Sequence, residues 1–228
     1  MEPKKRIFYI FVLFLIIGSF VLWTVPFGAF RPSRVSTPTT LSNNTTTITT
    51  KSMSKKIALV IAFQNFRDEE YFVPKEILEG AGYSVITVST KKGTAVGADG
   101  GEVVVATVPA EVSPQEYEAV VFVGGPGMAQ ELDNEEFQEL ARKFVQEKKL
   151  VAAICIAPCL LAKAGILQGK QATVWSSPLD KSPIKILTDN GAIYQRESVV
   201  RDDGIITANG PSAASSFGEK IVQVLQGG

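Results

Sequence analysis

Short apolar runs alternate with helix-length amphipathic segments along residues 55–228 of this chain. The run 57–63 precedes a helical pattern at 68–81, and the run 150–154 precedes another at 157–164. Apolar runs of this length are typical of strands that are buried on both faces. The alternation therefore predicts an α/β fold, in which a parallel sheet is covered by helices on both sides. In such sheets, binding residues gather beyond the carboxyl ends of the strands.

The same periodicities predict the individual elements. Strands are expected at 57–63, 85–88, 119–123 and 150–154 and near residues 193, 199 and 205, a glycine-rich hairpin at 93–108, and helices at 68–81, 134–148, 157–164 and 212–225. The Ser- and Pro-containing stretch that precedes residue 193 is expected to be a loop.

An uncharged segment lies near the start of the sequence. Residues 7–30 contain no charged side chain, and a helix of this length spans about 36 Å, enough for a hydrocarbon core of about 30 Å. Lys4, Lys5 and Arg6 precede it, so the positive-inside rule predicts a cytoplasmic start and an exported remainder. A cleaved signal peptide is the alternative, although the stretch is long for one and lacks a clean cleavage site.

These features predict three parts. Residues 1–30 form a cytoplasmic tip and a transmembrane signal anchor, 31–54 a Thr/Ser-rich linker, and 55–228 an extracytoplasmic domain of a single-pass protein in the cell membrane. Asn43 and Asn44 begin overlapping glycosylation sequons in the linker. The alternative interpretation is that the linker is an unmodified polar spacer. A product that started at Met53 would lack the anchor.

Charge and composition exclude several classes of function. Residues 1–53 carry six basic groups and one acidic group, which leaves 17 basic and 22 acidic groups for the rest. An acidic domain argues against nucleic-acid binding. The chain has no histidine and only two cysteines. This excludes Cys/His zinc clusters built from this chain alone, and it excludes the Ser-His-Asp and Cys-His nucleophile arrangements unless a partner chain supplies the imidazole. We predict no metal and no cofactor.

Cys155 occupies the junction between the predicted strand at 150–154 and the helix at 157–164. A strand-turn-helix junction exposes a nucleophile in several hydrolases. Helix N-termini also lower the pKa of a thiol, which favours the reactive thiolate. The alternative interpretation is a small buried cysteine that serves only in packing.

Three separated stretches together resemble the ThiJ/PfpI family of the class I glutamine amidotransferase-like superfamily. They are 152–158 with its continuation to residue 167, 66–70 with Pro74 four residues later, and 123–127. The resemblance covers about residues 55–226 and implies a flavodoxin-like fold. It also implies that Cys155 is the nucleophile and that Glu70 faces it.

The resemblance adds an oxyanion site in the glycine loop, formed by the backbone N–H of Gly125. We expect the N–H of Ile156 to be a second donor there. Burial beside the sulfur is expected to protonate Glu70, which then serves as a proton shuttle. Without the resemblance, Glu70 would be interpreted as a solvated acid at the start of a helix, and the glycines of 124–127 as part of a tight turn.

One departure from the family bears on activity. Its peptidase-like members have a histidine directly after the nucleophile, where this chain has Ile156, and no histidine occurs in the later stretch 173–176. Since imidazole commonly protonates the amine leaving group of a peptide, the sequence favours glyoxalase- or deglycase-like chemistry on reactive carbonyls. The alternatives are a PfpI-type cysteine peptidase and a non-catalytic redox-sensing or chaperone-like protein.

Cys159 follows the nucleophile by four residues, one helical turn away. It is either a redox partner of Cys155 or a buried helix residue. The expected partners are a small carbonyl or peptide substrate, the membrane through residues 7–30, and further copies of the chain, since the resemblance implies at least a dimer.

Overall fold

The computed structural model describes residues 55–228. The predicted anchor at 7–30, the linker at 31–54 and the sequons at Asn43 and Asn44 lie outside the described residues. Among residues 55–228, no helix combines the length and the apolar character that crossing a membrane requires.

Strands and helices alternate along the described residues. The strands are β1 (Lys56–Val60), β2 (Gln64–Phe66), β3 (Ser84–Val88), β4 (Gly93–Gly97), β5 (Glu102–Val105), β6 (Tyr117–Phe122), β7 (Leu150–Ile154), β8 (Gln171–Ala172), β9 (Ile193–Tyr194), β10 (Val199–Asp202) and β11 (Ile205–Ala208). The helices are α1 (Asp68–Gly80), α2 (Glu135–Gln146), α3 (Pro158–Lys163), α4 (Ser182–Asp189) and α5 (Ala214–Leu225). Of these, α4, β2 and β8 were not predicted from the sequence.

Across residues 55–228, six strands form the main sheet in the order β10-β11-β7-β6-β1-β3. All neighbouring pairs in it are parallel except β10 and β11. This confirms the predicted α/β fold with a mostly parallel sheet. The chain runs from β1 outward to β3 and then crosses to β6 on the other side of β1. Ligand sites in sheets of this kind lie at such a reversal, beyond the carboxyl ends of the strands.

Helices cover both faces of the sheet and produce two apolar cores. On one face α1 packs against α5, where a Cβ added to Gly218 would lie only 3.2 Å from the Cα of Pro74. On the other face α2 packs against α3. All residues of β7 are buried as a result, which explains why this strand is a continuous apolar run in the sequence.

The inward face of α1 differs from the expected one. The sequence pattern places Phe72 inside, but Phe72 is 40% exposed and Tyr71 is buried. The Tyr71 hydroxyl lies 2.6 Å from the Thr87 hydroxyl on β3, and the ring packs against Phe66 with a centroid separation of 5.3 Å. The tyrosine is buried because its polar end has a partner. This rotation of the helix also directs Glu70 inward.

Candidate active site

Cys155 directly follows β7 and adopts a left-handed backbone conformation with φ of 64°. This conformation costs a residue with a Cβ roughly 1–2 kcal/mol, so the surrounding structure must stabilise it. Two main-chain hydrogen bonds do so. The Cys155 N–H donates to the Ala208 carbonyl at 2.8 Å, and the Trp175 N–H donates to the Cys155 carbonyl at 2.9 Å. The side chain is 9% exposed.

Glu70 lies in the first turn of α1 and is fully buried, with 0% exposure. Its Oε2 accepts a hydrogen bond from the Gly124 N–H at 3.1 Å. Its other oxygen, Oε1, is buried and has no hydrogen-bond partner that meets ordinary distance and angle limits. A carboxylate oxygen without a donor is costly in such a place. Protonation of the carboxyl removes its charge and so lowers this cost.

The loop after β6 holds the two side chains together. A Cβ added to Gly124 would lie 2.5 Å from the Cys155 Cβ and 2.6 Å from Glu70 Oε2. Gly124 therefore fits between the thiol and the carboxyl only because it has no side chain. The next residue, Gly125, has φ of 107°, which favours glycine.

Burial is the main influence on Glu70. It raises the pKa of this carboxyl from 4.5 to about 7, against smaller lowering effects of the hydrogen bond with Cys155, the Gly124 N–H and the charge of Arg67. Both protonation states of Glu70 are therefore populated near neutral pH. That is the condition under which a carboxyl works best as a proton shuttle.

The expectation of a lowered thiol pKa is wrong. Burial raises the pKa of Cys155, and the negative charge of Glu70 and the hydrogen bond with it raise it further. The helix N-terminus was expected to lower this pKa, but α3 is only six residues long, and burial and Glu70 act in the opposite direction. Because the two groups repel each other when both are ionised, they act as one site that retains a proton.

Backbone donors partly offset this effect. The backbone N–H groups of Gly125 and Ile156 lower the pKa of the Cys155 thiol. The structure thus brings both residues that the sequence assigned to the oxyanion site next to Cys155. Donors at this position can also stabilise an oxygen that becomes negative when the sulfur attacks a carbonyl.

Cys155 opens into a cavity of about 400 Å³. Its lining is mostly apolar, with charged side chains only at Arg67 and Asp180. The lining residues are Arg67, Gly125, Pro126, Ala129, Leu132, Cys155, Ile156, Trp175, Asp180, Ser182, Pro183, Ile186 and Pro211. Sequence reasoning missed Arg67 and the wall formed by α4. Arg67 lies within the motif 66–70, where its charge was the available signal.

Cys159 does not line this cavity. It is a fully buried residue of α3, and its Sγ donates at 3.6 Å to the carbonyl of Pro183, a residue of the cavity wall. Burial raises its pKa to about 12. Cys155 belongs to the core on the other face of the sheet, and both thiols are free. Among residues 55–228, no three cysteine or acidic side chains are grouped to hold a metal ion.

Known proteins resemble this chain over the described residues. It is 41% identical to "Uncharacterized protein MJ0967" of Methanocaldococcus jannaschii over 75% of this chain and 82% of that protein. It is 33% identical to "Putative cysteine protease YraA" of Bacillus subtilis over 76% of this chain and all of that protein. The crystal structure of a ThiJ/PfpI domain protein from Brachyspira murdochii superposes with a TM-score of 0.72 at 36% identity, covering 76% of this chain and 97% of that one.

The sequence profile of the DJ-1/PfpI family matches residues 55–224. This range contains the whole cluster of Glu70, Gly124, Gly125 and Cys155. The match, the relatives and the fold agree, and the chain belongs to the DJ-1/PfpI family.

Proposed function

We propose that this chain is a cysteine-dependent enzyme that acts on small reactive carbonyl compounds, with Cys155 as the nucleophile and Glu70 as the proton shuttle. The observation that carries the proposal is the buried pair of Cys155 and Glu70 beside the N–H groups of Gly125 and Ile156. Cys155 opens into a small, mostly apolar cavity that suits a small organic substrate.

The first step is addition of the thiol to an aldehyde. The Cys155 sulfur forms a bond to the carbonyl carbon while its proton passes to the Glu70 carboxylate. The carbonyl oxygen becomes negative and is stabilised by the Gly125 and Ile156 N–H groups until Glu70 returns the proton to it. The product is a hemithioacetal. The step needs no lowered thiol pKa, since Glu70 accepts the proton as the bond forms.

A 2-oxoaldehyde such as methylglyoxal allows the reaction to continue. Glu70 removes the hydrogen on the aldehyde-derived carbon as a proton and passes it to the neighbouring ketone oxygen, giving an enediol. The hydroxyl on the aldehyde-derived carbon then gives its proton to Glu70, which delivers a proton to the former ketone carbon, and the product is a 2-hydroxy thioester. Water then cleaves the thioester, which regenerates the Cys155 thiol and releases a 2-hydroxy acid. The carbon that is oxidised and the carbon that is reduced belong to the same substrate, so no external oxidant is required.

Cysteine peptidase activity is the second candidate, favoured by the name of the Bacillus subtilis relative. Peptide hydrolysis has to protonate an amine leaving group, a role for which imidazole is commonly used. This chain has no histidine, and Glu70 would have to take that role. The cavity of about 400 Å³ also fits a small molecule better than an extended peptide. Carbonyl chemistry is therefore the first candidate.

Consumption of methylglyoxal by the full chain, kept in mild detergent because of its apolar residues 7–30, tests the proposal. We expect catalytic loss of methylglyoxal that Cys155→Ser abolishes and that Glu70→Gln slows by about 10²- to 10⁴-fold, the usual contribution of general acid–base catalysis. Cys159→Ser is the matched control and should retain activity, because Cys159 lies outside the cavity. Consumption no faster than in Cys155→Ser would contradict the proposal, and iodoacetamide-sensitive casein cleavage would favour the peptidase.

We also propose that residues 7–30 anchor the chain, with residues 55–228 outside the cytoplasm. The charges of Lys4, Lys5 and Arg6 before an uncharged stretch support this orientation. Protease added to intact cells is then expected to remove the domain, and modification of Asn43 or Asn44 would raise the apparent mass of the chain in a glycosylating host. A domain that is cleaved only after lysis would contradict the orientation.

A further inference from the structure

A main-chain hydrogen bond holds Arg67 near Cys155 and Glu70. It directly precedes α1, and its backbone N–H donates to the Gly124 carbonyl at 3.1 Å. This bond fixes Arg67 against the loop that separates Cys155 from Glu70. The side chain is about one-third exposed, and Arg67 is a lining residue of the cavity together with Cys155. Its positive charge reaches the pair, since it lowers the pKa of Glu70.

The guanidinium has little else to bind. Its side-chain partner within residues 55–228 is Asp99, with 3.4 Å between Nη1 and Oδ2, and the Asp99 side chain is 61% exposed. Exposed ion pairs of this kind contribute about 1 kcal/mol or less. Arginine carries five N–H donors in a planar fork that matches carboxylate or phosphate oxygens. Most of these donors have no protein partner within residues 55–228.

The rest of the lining contains no other positively charged side chain. Asp180, the other charged residue of the lining, is held at the start of α4, where its Oδ1 accepts from the Ser182 N–H at 2.8 Å and from the Ser182 hydroxyl at 2.6 Å. Its own negative charge repels an anion. Side chains such as Ile156, Trp175 and Ile186 are apolar and offer no compensating charge. Arg67 is therefore the only positively charged side chain of the lining that an anionic group in the cavity can contact.

We propose that Arg67 is the specificity-determining residue of this site and selects carbonyl compounds that carry an anionic oxygen group, a carboxylate or a phosphate. The anionic group binds the guanidinium while the carbonyl carbon faces the Cys155 sulfur, and the apolar wall contacts the remainder of the molecule. This inference rests on the proposed carbonyl chemistry for the identity of the reacting group. The preference for an anion rests on Arg67 alone.

Alkylation of Cys155 tests the preference without requiring turnover. Iodoacetate and iodoacetamide both transfer a carbon to the sulfur with loss of iodide, but only iodoacetate carries a carboxylate. We expect Arg67→Gln to lower the ratio of the iodoacetate rate to the iodoacetamide rate by about tenfold, which corresponds to about 1.4 kcal/mol of lost interaction. Mass spectrometry of the full chain assigns the alkylation to Cys155. A change in the reactivity of the thiol alters the rates with both reagents, so it cancels in the ratio.

Matched variants separate Arg67 from general charge effects. Lys75→Gln removes one positive charge from α1 outside the cavity and should leave the ratio unchanged. Asp99→Asn frees the guanidinium and should raise the ratio, whereas Arg67→Lys keeps the charge but loses the fork and should give an intermediate value. An unchanged ratio in Arg67→Gln, or an equal fall in Lys75→Gln, would overturn the proposal.

Protection experiments distinguish the two kinds of anion. Glyoxylate and glyceraldehyde 3-phosphate are tested for slowing the iodoacetamide reaction at Cys155, with uncharged glyceraldehyde as the reference. Stronger protection by one of them, lost in Arg67→Gln, identifies that group; protection equal to that of glyceraldehyde contradicts the inference. If methylglyoxal is not consumed but the alkylation ratio depends on Arg67, the proposed function fails and the anion preference stands.

Discussion

The unsubstituted chain is expected to lose about 3 kcal/mol of its free energy of unfolding as the pH rises, and Glu70→Gln is expected to abolish this loss. The folded chain raises the pKa of Glu70 from 4.5 to about 7, and each unit corresponds to about 1.4 kcal/mol. Between these two values the folded state binds more protons than the unfolded state, so the free energy of unfolding falls as the pH rises. The loss starts near pH 4.5 and is complete above about pH 7. Glutamine is neutral throughout, and its carbonyl oxygen can still accept the hydrogen bond from Gly124.

Urea unfolding of the full chain at a series of pH values measures this effect. The unsubstituted chain should lose stability across the window, and Glu70→Gln should be nearly flat there. Glu69→Gln is the matched control, because Glu69 lies in the same helical turn but is exposed. A slope in Glu70→Gln equal to that of the unsubstituted chain would show that burial of Glu70 does not cause the dependence.

Gly124→Ala is expected to disrupt both stability and catalysis. The added Cβ would lie 2.5 Å from the Cys155 Cβ, 2.6 Å from Glu70 Oε2 and 2.9 Å from the Ile154 carbonyl oxygen. All three neighbours are buried, so relief requires the loop or the reacting pair to move. Overpacking of this kind typically costs about 1–3 kcal/mol of stability. A displacement of about 1 Å at the pair is expected to reduce carbonyl turnover by about 100-fold.

Gly80→Ala is the control for this substitution. Gly80 ends α1, and a Cβ added there meets nothing within 4 Å, so alanine should be neutral or slightly stabilising. Urea midpoints and methylglyoxal consumption are measured for both variants. An unfolding midpoint and an activity equal to those of the unsubstituted chain would contradict the close packing of Gly124 between the two side chains.

The sequence predicted the framework of the domain better than its site. The strand at 150–154 was predicted with its observed bounds, because a strand buried on both faces is apolar throughout. The helix at 68–81 was also predicted closely, but the sequence pattern placed Phe72 inside, where the structure has Tyr71. Burial of Tyr71 depends on its hydrogen bond with Thr87, which lies 16 residues away on another strand. Helix α4 was missed because it is only eight residues long and contains a proline.

The electrostatics of the pair depend on three-dimensional context. Cys155 and Glu70 were identified through short motifs, but the helix N-terminus suggested a lowered thiol pKa. Burial of both groups and their mutual repulsion, which decide the direction, appear only when the chain is folded. Arg67 was passed over for a similar reason. Its role depends on the hydrogen bond between its N–H and the Gly124 carbonyl, which a sequence pattern does not show.

The main-chain hydrogen bonds around Cys155 have an evolutionary consequence. The bonds from Cys155 to Ala208, from Trp175 to Cys155 and from Arg67 to Gly124 join backbone atoms, so they survive exchange of most side chains. Side chains such as Arg67, Trp175 and Ile186 can then be replaced one at a time without dismantling the support of the thiol. Single substitutions in the cavity can then change which substrate fits while the support of the thiol stays intact.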